Sequence, residues 1–449
     1  MRVRPSLLSI TVALTLGGIV CAALLIKGRS PYRTTDPTPT ALTRSLTSSH
    51  TVSTAADQAI DSAEAQIARD PQKAEGYLAL ATAYIRKVRE AGDPGYYLRA
   101  ETAVRRALKQ QPDSYEGLRT LVWIQTGKHE FREALAAAEH LRSQRPDDYH
   151  VYGLLGDVYA ELGEYDRATQ AFQQMADLRP SLASYSRAAY MRELLGDPQG
   201  ATELMTLAVK SGSSRDPEPL AWSLVQLGNL YFSQGNIPAA DTAYQQALTV
   251  FPQYYQALAA LGRVRGAQRR YSDAIELYRQ AVAIVPAPDT VATFGDLLAF
   301  TGKADEAEKQ YALVEYIEKV NELNQIAYTR QLALFYADHN RKLDEALKLA
   351  EAELERRHDI YSYDTLAWVY YKTRRFADAE KAMTQALRLG TQDALLFFHA
   401  GMIAHAQGNM QKAKDFLQRA LALNSHFSFT GAEVARNTLA EMEKQALSR

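Results

Sequence analysis

A single cysteine in 449 residues, Cys21, leaves no intrachain disulfide and no cysteine-based zinc site to consider. Tryptophan is nearly as scarce, at three residues against 26 tyrosines. Neither sign of charge is in excess, since 51 basic side chains face 52 acidic ones. That balance gives no global field to draw the chain onto nucleic acid or an anionic surface. Catalytic signatures are missing too: there is no GxSxG, no HExxH and no EF-hand loop. Gly127-Lys128 and Gly302-Lys303 lack the upstream glycine and the following Ser or Thr of a phosphate loop, so both read as turns between helices. His399 and His405 lie six residues apart on one predicted helix, too far round for shared ligation. No catalytic residue, metal site or small-molecule cofactor is expected.

Long apolar runs are also absent, with one exception. Ser6 to Ile26 is uncharged and mostly apolar, preceded by Arg2 and Arg4 and followed by Lys27, Arg29 and Arg33. As a helix of about 21 residues it would span roughly 30 Å, the thickness of a bilayer's hydrocarbon core. The expectation is a single-pass signal-anchor over residues 1–27, carrying an exported, periplasmic body. The alternative is a signal peptide cleaved near Val20-Cys21-Ala22, which would release the body, although Leu24, Leu25 and Ile26 continue the apolar run beyond that point. Residues 28–53 are rich in Ser, Thr and Pro and poor in large apolar side chains, the composition of a flexible tether.

The rest of the chain is periodic. In Tyr149–Pro180, Tyr152, Leu155 and Tyr159 fall on one face of a first helix. Ala168, Phe172, Met175 and Ala176 do the same on a second, with Leu162-Gly163-Glu164 as the turn between. Small residues, Gly156 and Ala168, sit where the two helices need to touch, and Pro180 stops the second. Pro112, Pro146 and Pro180 recur at 34-residue intervals. The aromatic, Leu-Gly, Tyr, Ala, Phe and closing Pro over about 34 residues resemble a tetratricopeptide repeat. Clear copies include Leu227-Gly228, Tyr231, Ala240, Tyr244 and Pro252, then Leu261-Gly262, Tyr271, Ala274, Tyr278 and Pro286.

The resemblance implies an all-α, right-handed α-solenoid of about ten helical hairpins behind the N-terminal helix. Its expected parts are residues 54–212, 217–325 and 326–447, with capping helices near 56–70 and 432–446. Two irregularities stand out. The internal turn of the first repeat, Arg89–Leu98, is about seven residues longer than the pattern expects, and extra residues in a solenoid usually emerge as a surface loop. The seventh repeat runs on to about Gln325, as a lengthened second helix or a joint.

Each hairpin has too little apolar surface to fold alone, so stacking completes the core and generates a concave face. In tetratricopeptide domains first helices line that face at about positions 2, 5, 9 and 12, and a protein or peptide client binds there. Mapped here, those positions give Trp222, Asn229 and Phe232, then Tyr361, Trp368, Tyr371, Phe398 and Met402. Trp368, Tyr371 and Phe398 form the favoured contact patch. Arg263 and Arg265 are candidates to attract an acidic segment. The basic clamp by which related domains hold acidic C-termini is not expected, because only Asn229 matches and Val225, Asp289 and Thr293 replace its basic members. The resulting reading is a membrane-anchored scaffold of the cell envelope, serving assembly, secretion or surface-polymer export. Its rivals are an accessory arm of a polysaccharide synthase or glycosyltransferase, and a carbohydrate binder.

Overall fold

The computed structural model describes residues 53–323 and 329–447. The expected membrane span 6–26, Cys21 and the tether up to Val52 lie outside the described residues. Among the described residues, no helix is long and apolar enough to cross a membrane. Those residues hold 22 helices and no strand. α1 (Ala55–Arg69) stands alone, ten hairpins follow as α2 to α21, and α22 (Gly431–Leu447) closes the array. This is the expected helical solenoid, with both end helices close to their expected bounds.

Local chemistry sets the element boundaries. Asp148 accepts a hydrogen bond from the His150 N–H and opens α6 (Tyr149–Glu161), as Ser114 does from Gly117 at the start of α4 (Tyr115–Gly127). Pro217 occupies the first turn of α10 (Pro217–Ser233), where a missing N–H costs nothing. Within hairpins, small residues admit large rings sixteen positions on. A Cβ at Gly156 would overlap Phe172, at Gly228 it would overlap Tyr244, and at Gly262 it would lie 2.8 Å from Tyr278.

The two helices of a hairpin are buried differently. In α20 (Ala394–Ala406) ten of thirteen residues are buried, while α21 (Met410–Leu423) buries three of fourteen. First helices are packed on several sides and second helices along one alanine-rich stripe, which leaves their other faces to solvent.

The irregular first repeat departs from expectation. Its extra residues do not form a surface loop. They lengthen α2 to Ala74–Ala91 and leave only Gly92, Asp93 and Pro94 before α3 (Gly95–Gln110). The lengthened end reaches across to the fifth and sixth repeats. Arg86 pairs with Asp216 at 2.5 Å and Arg89 with the buried Glu218 at 2.5 Å, while Gly92 abuts Tyr255 and Val285. Ion pairs and apolar contact hold the added turn inward, where a free loop would have projected into water. The seventh repeat is lengthened in its second helix, α15 (Ala304–Leu323), one of the two forms expected.

The coil also meets itself. Contacts recur between residues 192 to 197 apart, about six repeats along the chain. The Tyr165 hydroxyl accepts from the Ile360 N–H at 2.8 Å, and Thr391 donates its hydroxyl proton to the Leu194 carbonyl at 2.5 Å. Asn424 donates to the Phe232 carbonyl at 2.9 Å. Arg357, 5% exposed, reaches Glu161 at 2.5 Å and also holds Glu353 at 2.5 Å and Asp359 at 3.5 Å. Turns inside the early hairpins therefore lie against links between the late ones.

Candidate functional site

The main cavity follows from that coiling. It has a volume of about 1590 Å³ and is lined by residues between Val88 and Phe427. First helices present their ninth positions to it in five successive repeats: Trp123, Asp157, Tyr190, Asn229 and Arg263. α15 adds Tyr316, Ile317 and Val320 from its extra turns. Trp123 is 42% exposed, Tyr190 39% and Tyr316 65%. These are large aromatic surfaces left uncovered inside the coil, where folding alone would have buried them.

Of the sequence-derived candidates, Trp222, Asn229, Phe232 and Arg263 line this cavity. Asn229 is a hub there, accepting from the Tyr244 hydroxyl at 2.9 Å and from Arg263 at 2.7 Å. Arg263 also lies over the Phe232 ring, 5.0 Å from its centroid, and Phe232 itself is buried. Arg265 is spent on Asp241 at 2.6 Å. The Arg265 guanidinium is thereby neutralised, which removes it as a site for an acidic segment, whereas Arg263 lines the cavity with a neutral amide as its partner and no acidic one among the described residues.

The later candidates do not join them at the cavity. Trp368 is 4% exposed, stacks on Tyr371 at 4.7 Å and on His399 at 4.1 Å, and donates its indole proton to Asp338 at 2.7 Å. Phe398 and Met402 are buried as well, Phe398 against Trp368 and Phe427. Tyr361 and Tyr371 are half-buried. The favoured Trp368–Tyr371–Phe398 patch is thus packing between neighbouring first helices, because large rings there fill the space between adjacent repeats. His399 is 1% exposed and bonded to Asp364 at 2.9 Å. Among the described residues no group of side chains is arranged to hold a metal ion. The two phosphate-loop look-alikes are turns, with Lys128 bridging Glu101 and Glu130 at 2.7 Å each and Lys303 on Glu306 at 3.2 Å.

Sequence reasoning missed Trp123, Tyr190 and Tyr316. The ninth-position rule, extended to the second and fourth repeats, names the first two. Tyr316 carried a different signal, the i, i+4 pair Tyr316 and Val320 in a helix longer than the repeat requires.

The wall is electrostatically one-sided. Seven carboxylates line it, against three guanidinium groups and one histidine. Arg187 is committed to Asp157 at 2.7 Å and Arg89 to Glu218 at 2.5 Å, while Arg263 is held by Asn229. Glu193 and Asp393 have no cation at ion-pair distance among the described residues. Desolvation and the neighbouring Asp393 push the Glu193 carboxyl up to about 7. Desolvation also raises Asp393, against the stabilising N–H groups of Leu396 and Leu395. Tyr190 is accessible, yet what it faces is enclosed by protein, and desolvation raises its phenol well above the ordinary value. The arrangement can grip a ligand by apolar contact and charge.

The tetratricopeptide-repeat family model matches residues 119–183, 225–287 and 365–426. The chain is 26% identical to the human protein O-mannosyl-transferase TMTC1 over 206 residues, covering 45% of this chain and 23% of that protein. It is 22% identical to the TPR repeat-containing protein YpiA of Bacillus subtilis (strain 168) over 332 residues, covering 72% of this chain and 66% of that protein. It therefore spans less than two thirds of either relative. The crystal structure of yeast Tom70 aligns at 14% identity with a TM-score of 0.39, covering 87% of this chain and 96% of that one.

Proposed function

We propose that this tetratricopeptide-repeat protein is a non-catalytic scaffold that holds an extended segment of a client protein against the inner wall of its coil. Residues 6–26 tether it to a membrane and residues 28–53 act as the spacer. Its setting is the bacterial cell envelope, in assembly, secretion or surface-polymer export. The observation that carries the reading is the set of uncovered aromatic side chains, Trp123, Tyr190 and Tyr316, gathered on the wall of one large cavity. Aromatic anchors in concave sites dominate binding energy at protein interfaces.

The test is site-specific photo-crosslinking in cells, with a benzophenone amino acid at Trp123, Trp222 or Tyr316. Leu207 and Met410, exposed positions on second helices away from the cavity, serve as controls. Discrete polypeptide adducts from the cavity positions alone support the scaffold. Adducts only from the controls, or glycan capture with no polypeptide adduct, would replace it with one of the rival readings.

A further inference from the structure

The charge distribution of the cavity specifies its occupant beyond the general scaffold reading, on which this step rests. Three of the seven carboxylates, Asp157, Asp216 and Glu218, are answered by arginines of the chain itself. Of the other four, Asp93 and Asp289 accept, among the described residues, only backbone N–H groups, from Gly95 and Thr290 at 2.8 Å each. Asp393 accepts the N–H groups of Leu395 and Leu396 at 2.7 and 3.2 Å, and no hydrogen-bond partner of the Glu193 side chain occurs among the described residues. Arg330 lies over the Tyr361 ring, 5.9 Å from its centroid, and forms no ion pair with either acid. An enclosed wall with surplus carboxylate attracts cations and rejects anions, the more strongly because water is partly excluded. The uncovered rings of Trp123, Tyr190 and Tyr316 add faces on which ammonium and guanidinium groups rest favourably.

We propose that the occupant is an extended client segment bearing lysine or arginine, with one cationic side chain received at Glu193 and Asp393 beside Tyr190. A small cation would fill little of about 1590 Å³, a space larger than typical small-molecule pockets, whereas an extended chain can meet several of the five repeats at once. Glu193 lies on α8 (Leu182–Leu194) and Asp393 precedes α20, so the receiving pair spans two turns of the coil. It exists only while those turns stay together.

Fluorescence anisotropy on the full chain in detergent tests this, with three labelled peptides of about twelve residues, long enough to reach across several repeats. They share one sequence of glycine and tyrosine, with every third residue lysine, glutamine or glutamate. The lysine peptide should bind at least about tenfold more tightly than the glutamate peptide, with a steep salt dependence. Glu193→Gln with Asp393→Asn should shrink that preference to about threefold or less. Asparagine still accepts the Leu395 and Leu396 N–H groups, so the helix cap survives, and unchanged circular dichroism verifies it. Equal binding of the three peptides, no binding of the lysine peptide, or a preference that persists in the double variant each overturns the proposal. In those cases inner-wall crosslinks to a polypeptide would continue to support the scaffold, and their absence would remove both.

Discussion

Gly196 and Gly302 occupy the same kind of turn, between the two helices of a hairpin, with φ of +76° and +80°. A side chain at either is strained by the left-handed backbone, at roughly 1–2 kcal/mol. Their surroundings differ. A Cβ at Gly302 meets nothing within 4 Å, whereas one at Gly196 would lie 2.5 Å from the Gly390 carbonyl oxygen of the next turn of the coil. Gly302→Ala should therefore show the backbone cost alone. Gly196→Ala should lose about 1–3 kcal/mol more, by comparison of urea unfolding midpoints, because the seam must part to admit it. Turn glycines were legible from the repeat pattern, but the crowding at one of them depends on a residue almost two hundred positions away. Glu318 makes a second residue-scale case. It is 8% exposed, and burial pushes its carboxyl up to about 7. The unfolded chain ionises that group near pH 4, so its contribution to stability is full below that and is lost as pH rises through 7. Glu318→Gln should match the parent at pH 4 and exceed it by about 1–3 kcal/mol at pH 8, read from denaturation curves at the two pH values.

At the scale of elements, α2 and α15 are the two longest helices among the described residues, and both put their surplus turns on the cavity. Their helical character was legible in apolar periodicity. Their destinations were not, since a helix that outgrows its hairpin can point into water or into the coil with the same spacing. The decisive groups for α2 are Arg86 and Arg89, whose acidic partners lie in and just before α10. Glu218 is 2% exposed, so Arg89→Ala would leave a buried carboxylate without its counter-charge. The expected loss is about 3 kcal/mol, largely recovered in Arg89→Ala with Glu218→Gln. An additive result in that double-mutant cycle would show the contact to be incidental. The Trp368 cluster teaches the converse. Its spacing matches a ligand-facing stripe, but the same positions in bulky, closely stacked repeats are consumed by neighbouring helices.

For the whole molecule, the sequence revealed the number and order of the hairpins through glycine, alanine, ring and proline positions. It carried no sign that the coil meets itself, because the seam is made of single backbone and side-chain groups with no period of their own: Tyr165 with Ile360, Thr391 with Leu194, and Asn424 with Phe232. That meeting turns an open groove into an enclosed wall and brings Glu193 towards Asp393. It is measurable as a distance between spin labels at Glu164 and Gln385, on either side of the seam in full-length protein with Cys21→Ser. Pulsed electron resonance should give one narrow, short-distance population, which broadens and lengthens when Arg357→Ala removes the pairing with Glu161. A broad long-distance distribution in the unaltered coil, indifferent to Arg357, would mean that the turns stand apart and that the enclosed wall does not exist.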